Sequence, residues 1–334
     1  MRFRALPFVS VVLAAALLSP SSPARAADPL AHTYSIVARD PKTGDFGVAV
    51  QSHWFSVGPT VPWAEAGVGA VATQSFVRVD YGPKGLALMK GGKAAEQALQ
   101  ELLAADPQKD VRQVAMVDAQ GRVASWTGPR CIAAAGHQQG AGYSVQANLM
   151  DKPTVWPAMA RAYEGAQGDL AERLLAALEA AEAEGGDIRG RQSAAIVVVR
   201  AQSTGEPWRD RLVDLRVDDH SQPLAELRRL LTLNRAYDEM NLGDDAFAAG
   251  KVEEALGHYT RGTRLAPDIA ELPFWQAVTL FATGREEQAL PIFREVFARE
   301  ERWARLVPRL PAAGLLPDDP KKIEKILSVA PKRQ

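Results

Sequence analysis

His137 sits in Gly136-His137-Gln138-Gln139-Gly140, a glycine-flanked polar stretch read as a flexible loop ahead of a strand. An imidazole there has two uses: it can touch a substrate or move a proton near neutral pH, or it can simply hold the loop. Gln146 and Asn148 alternate with Val145 and Ala147, so both carboxamides fall on one face of an extended segment. In Gly185-Gly186-Asp187-Ile188-Arg189-Gly190-Arg191, the arginines suit a loop that binds a carboxylate in two-pronged fashion. The same residues equally suit a local Asp187–Arg189 pair that fixes a glycine-rich turn. Cys131 is a thiol nucleophile by type, but Ile132 and an alanine run follow it, which favours a buried, inert thiol. Asp214, Asp218, Asp219 and His220 include metal-ligand types. Alternation with Val213, Leu215 and Val217 explains Asp214 and Asp218 as the outward face of a strand, and no metal site is expected.

The elements that must carry these groups are mostly strands in the first two thirds of the chain. Residues 33–40 alternate and end in a Pro41-Lys42-Thr43-Gly44 turn. Residues 46–52 resume the alternation, which predicts an antiparallel hairpin. Residues 67–75 are small and apolar, as a buried strand requires. Residues 82–105 carry apolar side chains at helical spacing and predict one helix. A second hairpin is predicted over 111–118 and 123–126, and another strand over 142–150. Residues 157–184 predict a long helix with a break at Gly165 and Gly168. Residues 193–200 read as a central strand, and 213–217 as a half-exposed edge strand. Strands with interspersed helices predict an α+β layered sandwich with mostly antiparallel pairing.

From Leu224 the strand signals stop. Asn241-Leu242-Gly243, Ala255, Tyr259 and Pro267 are spaced as in a tetratricopeptide repeat, with small residues at a helix contact and an aromatic on the second helix. Ala277, Gly284, Ala289 and Phe293 form a weaker second copy. Ala255 to Ala289 and Tyr259 to Phe293 are each separated by 34 residues, the repeat's own period. Two copies fall short of a free-standing solenoid, so the module is expected to lean on the first domain, on a helix at 320–329, or on a partner.

The first residues read as a secretory signal: Arg2 and Arg4, an apolar run from Ala5 to Leu18, then Ala24-Arg25-Ala26 as a cleavage site. The run is shorter than the roughly 20 residues a membrane helix needs. The expected divisions are a signal peptide at 1–26, a sandwich domain at 32–222 and a helical module at 223–332, and the expected location is periplasmic or secreted. Removing three arginines takes 39 basic residues to 36 against 40 acidic, a balance of −4. A weakly acidic chain without a basic block argues against nucleic acid as a partner, and no membrane association is expected after cleavage. One cysteine excludes an internal disulfide, and no cofactor is expected.

Several strings coincide with one known family. HTYSIVARDPKTGDFGVAVQS, VPWAEAGVGAVATQS, RQVAMVDAQGRVASWTG, GHQQGAGYSVQANL and GGDIRGRQSAAIVVV together resemble the domain-of-unknown-function family 1028. The resemblance covers about residues 32 to 234. That family is placed in the N-terminal-nucleophile hydrolase superfamily, which implies a four-layer αββα sandwich. It also implies a nucleophile that heads the first strand and uses its own α-amine as base, an amine with pKa near 7.7–8.0. On this sequence the position is Thr33, and residues 27–32 stand ahead of it after the expected signal cleavage. The resemblance further implies that Gln51 and Ser52 lie beside the nucleophile, and that Thr73, Gln74 and Ser75 lie where backbone N–H groups stabilise an oxyanion. Gln51 departs from the aspartate that proteasome-like members often carry there. His137, Asn148, Asp187 and Arg189 are the candidate substrate contacts.

The expectation is an exported hydrolase acting on the C–N amide bond of a small peptide or amino-acid derivative. The competing expectation is a non-catalytic ligand-binding protein that keeps the sandwich, with the helical repeats as a surface for a protein partner. A homodimer is compatible with either.

Overall fold

The computed structural model of the chain describes residues 30–31 and 33–331; the expected signal peptide lies outside the described residues. Strands β1 (Leu30–Ala31), β2 (Thr33–Arg39), β3 (Phe46–Ser52), β4 (Pro62–Glu65) and β5 (Gly69–Phe76) come first, then helices α1 (Tyr81–Lys90) and α2 (Ala95–Ala104). Strands β6 (Arg112–Asp118), β7 (Val123–Thr127), β8 (Gly136–Gly140) and β9 (Tyr143–Ala147) precede α3 (Val155–Gly165) and α4 (Leu170–Ala183). After β10 (Ser193–Val199), α5 (Pro207–Asp210) and β11 (Arg211–Val217), the described chain is helical: α6 (Pro223–Ala248), α7 (Val252–Leu265), α8 (Glu271–Ala282), α9 (Glu286–Arg299), α10 (Arg302–Leu306) and α11 (Pro320–Leu327).

The strands form two antiparallel sheets. One has the order β11-β10-β3-β2-β9-β8. The other runs β1-β5-β6-β7, with β4 sharing an edge of β5. The β2–β3 hairpin closes on Asp40, whose carboxylate accepts the N–H groups of Lys42 and Thr43 at 2.7 and 3.1 Å. Helices α1 and α2 pack on β5, β6 and β7, while α3 and α4 pack on β2, β3, β8 and β9. Two-residue periodicity then sorts β2: Tyr34, Ile36 and Ala38 join the α3–α4 core, whereas Val37 faces the opposite sheet with Val48, Val50, Ala70, Ala115 and Val197.

Two expectations change. The single helix at 82–105 is two helices, because Gly91-Gly92 interrupts it and Gly92 takes φ +93°, outside the helical region. The Gly136–Gly140 stretch is not a loop but strand β8, paired with β9 from Gly136↔Ala147 to Gly140↔Tyr143. Strands β1 and β4 are too short to leave a periodic signal. The break between α3 and α4 falls where Gly165 and Gly168 stand, with Gly168 at φ +103°.

Helix α6 is continuous across the change of composition. Leu224, Leu227 and Leu231 belong to the core under the sheet, and Ala236, Met240 and Ala246 belong to the helical core that follows. Arg228 and Arg235 tie it to Glu172, Glu179 and Asp169 on and beside α4. Gly243 is one place where α6 and α7 meet closely: a Cβ there would lie 2.4 Å from the Tyr259 ring. Gly243→Ala is therefore expected to destabilise the chain by about 1–3 kcal/mol through overpacking. Gly257→Ala, whose Cβ would meet only the end of Arg261 at 3.4 Å, is expected to stabilise by up to ~1 kcal/mol from helix propensity. Urea unfolding midpoints of the two variants should move in opposite directions.

Candidate active site

The space between the sheets is apolar at one end and polar at the other. Reading β2 backwards gives Val37, Ser35, Thr33; reading β6 backwards gives Val117, Ala115, Gln113; along β5 the order is Ala70, Ala72, Gln74. On β9, Ser144 and Gln146 take the inward positions, and Asn148 follows. Thr33, Ser35, Ser52, Gln74, Gln113, Ser144, Gln146 and Asn148 are all fully buried. Burying this many polar groups requires them to satisfy one another.

They do so as a network. Thr33 pairs with Ser52 in the β2–β3 register, and its Oγ1 donates to Ser52 Oγ at 3.1 Å. The Thr33 carbonyl accepts three N–H groups: Gln74 Nε2 at 3.1 Å, Asn148 backbone N at 3.1 Å and Asn148 Nδ2 at 3.3 Å. Gln113 Oε1 joins the two carboxamides, accepting from Gln74 at 2.7 Å and Asn148 at 2.9 Å. Its Nε2 reaches Thr127 Oγ1 and the Ala147 carbonyl, both at 2.9 Å. Ser35 donates to Gln74 Oε1 and accepts from Gln146 Nε2, each at 2.6 Å. The chain ends at His137, whose Nδ1 is 2.8 Å from Thr127 Oγ1.

Thr33, Ser52, Gln74, His137 and Asn148 are thus brought together, whereas five other expected site residues are placed differently. Gln51 sits beside Tyr34 and Ala194 in register, on the sheet face that carries the α3–α4 core, so its side chain points away from the Thr33 hydroxyl. Its buried carboxamide has no hydrogen-bond partner among the described residues. Thr73 and Ser75 occupy the positions of β5 opposite to Gln74; Thr73 Oγ1 donates to the Arg78 carbonyl at 3.1 Å, and its backbone N–H is used by Val61. Asp187 and Arg189 close on each other. Arg189 Nε and Nη2 reach the two carboxylate oxygens at 3.0 and 2.7 Å, and the Asp187 carboxylate also accepts the backbone N–H of Arg189 and of His53. This pair pins the loop after α4 against the end of β3, where Gln192 N donates to the Ser52 carbonyl.

Gln113, Ser35, Thr127, Ser144 and Ser125 were not singled out from sequence. A signal was present: in Arg112–Asp118, Gln113 shares its parity with Ala115 and Val117, so a carboxamide falls on an inward face. Gln146 lies, as the alternation indicated, on the face of Asn148. Cys131 donates to the Arg112 carbonyl at 3.3 Å, and burial pushes its thiol pKa up, Ser75 partly opposing. That suits an inert thiol.

Every partner of Thr33 named here is a hydroxyl, a carboxamide or a backbone amide, and none carries charge. Such a setting orients the residue and cannot itself take its proton. Burial holds the His137 pKa below its ordinary value, so folding disfavours the charged imidazolium. Below about pH 6.5 the unfolded chain takes up a proton that the folded one refuses. Stability is therefore expected to fall as pH drops through that range. Replacing His137 by Gln should flatten the slope, read from urea midpoints at pH 5 and 7.

The backbone is unusual at this end of the sheets. Ser75, after Gln74, has φ +74°, and Leu149, after Asn148, has φ +59°, both rare for residues with a Cβ. Ahead of Thr33, β1 pairs with β5 through Leu30↔Phe76 and Ala31↔Ser75, so the chain passes from one sheet to the other just before Thr33.

Residues 33–227 match the model of a family described as a family of unknown function, DUF1028. A crystal structure of a DUF1028 protein from Silicibacter pomeroyi is similar to this chain with a TM-score of 0.55 and 31% sequence identity, over 60% of this chain and 84% of that one. No curated protein matches the chain.

Proposed function

The chain belongs to the family of unknown function DUF1028, and from the way Thr33 is held we propose that it is the precursor of an amide-cleaving enzyme whose nucleophile is Thr33. One observation carries this reading: a fully buried threonine heads β2, with its hydroxyl on Ser52 and its carbonyl fixed by three N–H donors. The family match begins at that same residue. The layering of helices on the outer faces of two stacked sheets supports an αββα sandwich of the N-terminal-nucleophile type.

The mechanism needs Thr33 to be the first residue. Once the bond between residues 32 and 33 is cut, the α-amine takes the proton of Oγ1 as that oxygen attacks the substrate carbonyl. The tetrahedral intermediate collapses, the C–N bond breaks, and the leaving amine receives the proton from the α-ammonium. Water then hydrolyses the Thr33 ester. The substrate class is a small peptide or amino-acid derivative.

We propose export through the N-terminal signal to the periplasm or the medium. The helical region is read as two tetratricopeptide-like repeats, supported by Ala255, Ala289, Tyr259 and Phe293, all buried at equivalent spacing. A protein partner is proposed for that module.

A second reading is a non-catalytic binding protein, favoured by the pairing of β1 with β5, which goes with an acylated Thr33 nitrogen. N-terminal sequencing and intact mass of the exported protein, with assays on a panel of amino-acid p-nitroanilides, separate the two. A mature chain starting at Thr33 that releases nitroaniline supports the enzyme. A working protein that starts at Ala27 and shows no hydrolysis removes it.

A further inference from the structure

Beyond the sheets, the segment after α9 builds a feature that neither reading uses. Arg302, Arg305 and Arg309 line a cavity of about 430 Å³ whose remaining lining is Trp303 and Leu306. Spacings of three and four residues put the three arginines on one side of α10 and the turn after it. Among the described residues, no carboxylate lines the cavity. Arg302 is paired with Glu300, whereas Arg305 and Arg309 make no ion pair or hydrogen bond among the described residues. Trp303 packs on Phe274 with ring centroids 4.8 Å apart, and its solvent-shielded indole N–H has no acceptor among the described residues.

These observations define a ligand by charge and shape. With Glu300 paired to Arg302, the described lining presents two further guanidinium groups, those of Arg305 and Arg309. A carboxylate would answer one of them. A phosphate monoester carries roughly −1.5 to −2 near neutral pH and offers three acceptor oxygens, which matches two forked donors. The volume lies in the range of small-molecule sites, and Trp303 with Leu306 supplies an apolar wall for the rest of the molecule. We infer that this cavity binds a soluble phosphate monoester with an apolar or aromatic body.

Phenyl phosphate is the probe, titrated calorimetrically into the full chain at low salt. Saturable binding with one site is expected, with benzoate at least about tenfold weaker because it brings one charge. The Arg305→Ala/Arg309→Ala double variant should lose at least about tenfold in affinity, while Arg264→Ala, on α7, should leave it unchanged. Arg305→Gln alone, at an exposed position, serves if the double variant melts early. The proposal is overturned if phenyl phosphate does not bind. It is equally overturned if benzoate binds as well, if the arginine variants bind undiminished, or if only phosphatidylglycerol vesicles are bound.

Discussion

A chain that begins at Thr33 is expected to hydrolyse an amino-acid amide, and Thr33→Ala is expected to lower that rate roughly 10³-fold or more, since the nucleophile itself is removed. Thr33→Ser should retain measurable turnover, because serine keeps both the hydroxyl and the α-amine that deprotonates it. The same chain with one alanine added before Thr33 should be as inactive as Thr33→Ala. Its hydroxyl is intact, but an amide nitrogen cannot accept a proton. Ser52→Ala removes one hydrogen bond to Oγ1, about 1 kcal/mol, and so a several-fold to tenfold loss is expected. The order of these effects is the test. Equal activity of the chain starting at Thr33 and its alanine-extended form would sink the α-amine mechanism, whatever the absolute rate.

How much of this was legible follows from what period-two alternation encodes. It placed β2, β3, β10 and β11 and gave the parity of Gln146 and Asn148, since each side chain's face is set by its own strand. It should also have separated Gln51 from Ser52, and Thr73 and Ser75 from Gln74. Adjacent residues in a strand cannot share a face, and the motif-level reading grouped them by position in sequence instead. Other features are not local. That Gln113 on β6 bridges Gln74 and Asn148 depends on how two sheets face each other, and no spacing within one strand reports that. The pairing of β8 with β9 was hidden because glycine and glutamine have weak strand propensity; the β9 edge imposes the extended form. Asp187 and Arg189 were read both as a ligand loop and as a local pair, and it is the second arrangement that the loop adopts.

Gln113→Leu is expected to be the most destabilising single change in the polar half of the interface, by about 3 kcal/mol or more. Leucine is close in volume, so little of the loss is cavity. The cost comes from the partners left behind. Gln74 and Asn148 each lose the acceptor Oε1, and the Ala147 carbonyl loses a donor. Five hydrogen bonds of the Gln113 carboxamide are lost at once, each worth about 0.5–1.5 kcal/mol net. Gln74 keeps the Thr33 carbonyl and Ser35, and Asn148 keeps the Thr33 carbonyl, but neither is any longer braced by Gln113, so the grip on Thr33 should loosen too. The pair is testable as a cycle. Gln74→Leu alone should also destabilise, because the Ser35 hydroxyl loses its acceptor and Gln113 Oε1 and the Thr33 carbonyl each lose a donor. The double variant should cost clearly less than the sum of the singles, because each substitution removes a partner that the other leaves unsatisfied. Strict additivity of the two urea unfolding free energies would mean that the carboxamides act separately. Thr33 would then be positioned by its strand alone, and the polar end of the interface would be no more than a set of tolerated side chains.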